Sequence, residues 1–110
     1  MSKLFAGLFS LTLFAPLTNT ALAADAGNGE RLARRWCAAC HIVAADQTRG
    51  STQAPPFSAI AKQPGFNDAR LALYLLLPHP RMPDMSLSRS EAADLAAYIA
   101  SQGHSHCAAG

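Results

Sequence analysis

The chain of 110 residues is 50% hydrophobic and only 15% charged, with a formal charge of +2 at neutral pH. It is too apolar to stay disordered, too short for more than one sizeable domain, and too nearly neutral to present a nucleic-acid-binding surface. A domain this small has a limited core, and chains of such size commonly add a disulfide, a metal or a cofactor.

Lys3 precedes an apolar run over residues 4–17, and Ala21-Leu22-Ala23 follows with the small-x-small pattern of a signal-peptidase site. The run is shorter than the 18 or more residues a membrane-spanning helix needs. Residues 1–23 are therefore expected to be a cleavable signal peptide, residues 24–102 the folded domain without stable membrane insertion, and residues 103–110 a flexible tail. Neither Ala24 nor Asp25 offers a thiol for lipid attachment. Cleavage removes Lys3 from nine basic residues and none of the seven acids, so the remaining 87 residues carry a formal charge of +1.

A first helix is expected with Asn28 as its cap and with Leu32, Ala33 and Trp36 at helical spacing. It runs into Cys37-Ala38-Ala39-Cys40-His41. Three chemistries use two cysteines at this spacing. A zinc site needs four ligands, and the only further cluster is His104, His106 and Cys107 in the tail. A thioredoxin-type dithiol expects alternating strands and helices, a pattern this chain lacks. Covalent haem attachment uses all three positions together: both thiols form thioethers with the haem vinyls, and the adjacent imidazole reaches the iron. In an exported protein the motif is read as haem c attachment, with Cys37 and Cys40 as the covalent links and His41 as an axial ligand.

Residues 46–56 form a loop rich in Gly, Ser, Thr and Pro. Phe57 to Lys62 suit a short turn of helix, closed by Pro64 and Gly65. Asn67 is expected to cap a helix through Leu71, Tyr74 and Leu75 that ends at Pro78 and, being apolar nearly all round, is expected to be buried on most sides, against the haem. In Leu75-Leu76-Leu77-Pro78-His79-Pro80-Arg81-Met82-Pro83-Asp84-Met85 the three prolines forbid regular helix and stiffen the backbone around Met82. Met82, Met85, His79, His104 and His106 are the candidates for the second axial position. A stiff loop carrying a methionine suits Met82, while Met85 reads as a gap-filling core residue. Ser88 and Glu91 form a capping box that opens a last helix with Ala92, Leu95, Tyr98 and Ile99 on one face. At 1.5 Å per residue, its expected length is about 21 Å, enough to cross the domain.

Four stretches together resemble the small class I c-type cytochromes: GERLARRWCAACH, APPF, RMP and EAADLAAYIASQ, which span nearly all of residues 24–102. The resemblance implies an all-α cytochrome c fold, with about four short helices around one covalent haem and crossed N- and C-terminal helices. It also implies His41 and Met82 as the axial ligands. Met82 stands 16 residues before Tyr98, where the family's ligand sits about 16 or 17 residues before the aromatic of the last helix. Gly29 matches the glycine that lets the terminal helices cross near Tyr98. Pro55 matches the proline whose carbonyl holds the proximal histidine, with Pro56 a one-residue alternative. Ala33 departs from the large aromatic that mitochondrial-type members carry, and Trp36 is expected to fill part of that space. No other tryptophan remains to bond a haem propionate, for which Arg49, Lys62 and Arg81 are candidates.

These features imply a one-electron carrier of the periplasm, not an enzyme, with transient protein redox donors and acceptors. A haem subunit of a dehydrogenase or of an oxidase or reductase complex is the alternative, and a gas-binding sensor a further one. Arg31, Arg34, Arg35, Arg81 and Arg89 read as a solvated face, with a docking ring as the other reading. Cys107 is an odd cysteine in an oxidising compartment, where a Cys107-linked dimer is one outcome.

Overall fold

The computed structural model describes residues 15–18 and 22–104 and shows four α-helices and no strand among them. Helix α1, Ala26–Trp36, is capped by Asp25, whose side chain accepts from the Asn28 N–H at 3.0 Å. The cap thus falls three residues before the expected Asn28, which lies inside the helix and donates its side-chain amide to Asp94 at 2.8 Å. Arg34 and Arg35 occupy the last turn, where a positive charge suits the helix dipole.

Pro56 fixes the entry to α2, Phe57–Ala61, and its carbonyl accepts from Ala59 and Ile60. Gly65, at φ +74°, then takes a left-handed conformation that a residue with a Cβ adopts only under strain. The reversal leads to α3, Asp68–Leu76, where the Asn67 side chain accepts from the Arg70 N–H at 2.8 Å. Leu77 ends α3 in extended backbone, as the following Pro78 requires. Helix α4, Arg89–Gln102, opens with the capping box: Ser88 Oγ accepts from the Glu91 N–H and Glu91 Oε2 from the Ser88 N–H.

All three other helices pack on α4. Its Ala92, Leu95, Ala96, Tyr98 and Ile99 are buried, and Ala33, Val43 and Phe57 close the core around them. The α1–α4 crossing is backbone-close: a Cβ built on Gly29 would lie 2.0 Å from the Asp94 carbonyl oxygen and 2.8 Å from Tyr98 Cβ. Asp94 bonds the Asp25 N–H at 2.7 Å and the Asn28 amide on the other side of that crossing.

The polypeptide by itself buries no residue of α3: Leu71 and Leu75 pack on the core from a half-buried position, and Leu73, Tyr74, Leu76 and Leu77 stay 37–58% exposed, so any further cover of this helix comes from outside the chain. One neighbouring helix covers only one side of a cylinder, so an all-apolar helix on α4 alone keeps an uncovered face. Trp36 does not fill the space beside Ala33. It is 40% exposed, with the Arg35 guanidinium 4.8 Å from its ring centroid, and Ala33 itself is fully buried in the core cluster.

Candidate haem-binding site

The last turn of α1 passes directly into the CxxCH motif. The Cys37 and Ala38 N–H groups both donate to Ala33 O, and Cys37 O then accepts from Cys40 at 3.1 Å and from His41 at 2.8 Å. One carbonyl thus winds residues 37–41 into a single turn of backbone. Cys40 is exposed, while Cys37 packs against the core cluster. Burial pushes the free Cys37 thiol up to about 11, a proton it no longer carries once a thioether forms.

His41 Nδ1 lies 2.6 Å from Pro55 O. A carbonyl only accepts, so Nδ1 carries the proton and Nε2 keeps its lone pair. The ring sits 5.5 Å from Phe57, which meets Tyr98 edge-on at 6.3 Å. The Pro55 bond and the aromatic contact together set the direction in which Nε2 points. Since Pro55 precedes α2 and Phe57 begins it, the short helix places both supports.

The loop after the motif satisfies its backbone carbonyls one at a time. Ser51 N–H reaches Cys40 O at 2.7 Å, Phe57 N–H reaches Ile42 O at 2.9 Å, and the buried Tyr98 hydroxyl donates to Val43 O at 2.7 Å. Ala38 O and His41 O are taken by the side chain of Gln47, which the sequence reading passed over. Gly50 lies against Ile42, whose Cδ1 a Cβ there would approach to 2.8 Å.

The structure brings Cys37, Cys40, His41 and Pro55 into one unit. Met82 and Met85, both half-buried, lie on the segment joining α3 to α4. On the same segment the His79 ring packs on Tyr74 at 4.0 Å between centroids, and its Nε2 is buried without a hydrogen-bond partner in the structure. His104 is exposed after α4; His106 and Cys107 lie outside the described residues. Among the described residues no group of three or more His, Cys, Asp or Glu side chains is gathered as a metal-ion site.

The donor set fits haem. Two sulfurs with two residues between them, and an imidazole on the next residue with its Nδ1 proton already committed, are what a covalently held porphyrin requires. Around this unit the arginines of α1 already have partners. Arg34 bonds Glu30 and Asp46, which raise its pKa further, Glu30 contributing most; Arg31 bonds the Asn28 side chain and Arg35 lies over Trp36. Arg49, Lys62, Arg81 and Arg89 are exposed. No described helix is long and apolar enough to cross a membrane.

No protein-family model matches the chain, and no solved structure matches it. It is 50% identical over 95 residues to cytochrome c-552 of Bradyrhizobium diazoefficiens, an alignment covering 86% of this chain and 91% of that protein. Sequence identity of that extent, over four helices folded about a CxxCH turn, places the chain in the family of small monohaem c-type cytochromes, with haem c as its covalent cofactor.

Proposed function

We propose that this cytochrome is an exported one-electron carrier of the periplasm whose haem is held by thioethers to Cys37 and Cys40 and ligated axially by His41 and Met82. The observation that carries the reading is the 2.6 Å bond from His41 Nδ1 to Pro55 O, which fixes the tautomer and leaves Nε2 as the donor atom. A carbonyl partner on the far nitrogen also makes the imidazole a stronger ligand. When bound, the haem supplies a single reversible electron transfer at iron.

The chain's own contribution is to hold the donor atoms still. His41 is braced by Pro55 and Phe57, and the prolines at 78, 80 and 83 restrict the backbone on either side of Met82. A thioether and an imidazole together leave no coordination position for a substrate, which favours a carrier over an enzyme, and soft sulfur ligation favours the reduced iron. Protein donors and acceptors meet such a carrier through small, short-lived contacts.

The absorption spectrum tests the reading on the holoprotein matured with haem-attachment machinery. The expected result is a low-spin ferric spectrum with the weak far-red sulfur-to-iron band, and a ferrous spectrum unchanged by carbon monoxide. A high-spin ferric spectrum or prompt carbon monoxide binding would point to an open site and to sensing instead of carriage.

A further inference from the structure

Gln47 makes more hydrogen bonds to the haem-attachment loop than any other described side chain. Its Oε1 accepts from the Val43 N–H at 3.0 Å, and its Nε2 lies 3.0 Å from Ala38 O, 2.7 Å from His41 O and 2.7 Å from Arg49 O. Three acceptors surround one nitrogen and a donor faces the oxygen, so only one orientation of the amide satisfies the site. Two N–H groups serve three carbonyls, which makes one of the bonds shared.

The consequence lies in what those four groups are. Ala38 is inside the CxxCH turn, His41 is the imidazole-bearing residue itself, Val43 is the buried residue that fastens the loop to Tyr98, and Arg49 leads into Gly50 and Ser51. Pro55 O holds His41 by its ring; Gln47 holds it by its backbone carbonyl. With ring Nδ1 and the main-chain carbonyl both held, rotation of the imidazole about its side-chain torsions is confined from the ring and from the backbone. Without the amide, Ala38 O and His41 O lose these partners, and a half-buried carbonyl without one costs free energy that the loop relieves by moving.

We infer that Gln47 is a positioning residue for the proximal ligand: through its bonds to the backbone, its side-chain amide sets the orientation of the His41 imidazole, and through it the reduction potential. The inference rests on His41 being an axial ligand, as proposed above.

The test uses ferric and ferrous holoprotein of wild type, Gln47→Met, Gln47→Glu and Ser88→Ala. Methionine keeps the length of the side chain and removes all four bonds. Glutamate keeps the acceptor for Val43 and turns an oxygen toward three carbonyls; it also serves where Gln47→Met does not accumulate with haem. Ser88→Ala removes the α4 cap, which bonds none of the groups that Gln47 holds, and is the control for simple destabilisation. The readouts are the hyperfine-shifted NMR resonances of the His41 ring protons and the reduction potential. Both Gln47 variants should displace or split the His41 resonances and shift the potential, whereas Ser88→Ala should lower the thermal midpoint and leave both readouts unmoved. Gln47 variants that merely melt earlier, with wild-type His41 resonances and potential, would overturn the inference while His41 ligation stands. A wild-type protein with no His41 ring resonances in the hyperfine-shifted region would remove the axial reading, and this inference with it.

Discussion

Replacing Gly29 by alanine sets two effects of opposite sign against each other. In an isolated helix the change is favourable, by about 1 kcal/mol of helix propensity. In this fold the new Cβ would lie 2.0 Å from Asp94 O and 2.8 Å from Tyr98 Cβ, where ordinary contact begins at 3.4 Å. The nearer obstacle is backbone on α4, which no side-chain rotation relieves, so α1 and α4 must part by more than about 1 Å at their crossing in a close-packed core. Separation loosens Ala33 against Leu95 and Tyr98, and it strains the bonds from Asp94 to Asp25 and Asn28. Overpacking of well-filled cores costs about 1–3 kcal/mol where side chains can adjust, and here the top of that range or more applies. After the propensity gain is subtracted, a net loss of about 2 kcal/mol remains, which in a domain of this size lowers the thermal midpoint by roughly 8–16 °C. Far-UV circular dichroism melts of the two holoproteins measure it. A variant as stable as wild type, or more so, would refute the geometric argument, because only propensity would then be operating.

Two further expectations concern α4. Tyr98→Phe removes the buried hydroxyl that donates to Val43 O and should cost about 1–3 kcal/mol, read by the same melts, with the helices retained. Glu91 has its carboxyl held below the ordinary range by the bonds to Ser88, the backbone N–H first, so its contribution is present at neutral pH and is lost as pH falls below the ordinary carboxyl value of 4.5 and through its lowered folded value. Glu91→Gln should accordingly melt earlier than wild type at pH 7, and the difference should shrink steadily as pH falls through the acidic range, as a series of melts would show.

The sequence announces most of this fold through its punctuation. Asn67 and the Ser88–Glu91 capping box mark the starts of two helices because each residue has a single local task, and the CxxCH motif points to the candidate site before any helix is placed. What escaped the reading did so for physical reasons. Gly27 and Gly29 make the first turn of α1 look non-helical, so Asn28 reads as the cap when Asp25 bonds its N–H. A helix as uniformly apolar as α3 carries no record of which side its neighbour covers, and the exposure of Leu73, Tyr74 and Leu77 depends on α4 alone reaching it. Trp36 reads as core by its type, yet the helix turns it outward to Arg35. Gln47 belongs to no periodic pattern and no motif; its four bonds exist only after the loop has folded back on itself.

The proposed ligation of the iron by Met82 together with His41 is tested by the far-red absorption band of the ferric protein in Met82→Ala beside Met85→Ala. Met82→Ala should lose the band and bind carbon monoxide when reduced, while Met85→Ala should keep the band and exclude the gas. A band that survives Met82→Ala and vanishes in Met85→Ala, or that wild type never shows, would contradict it.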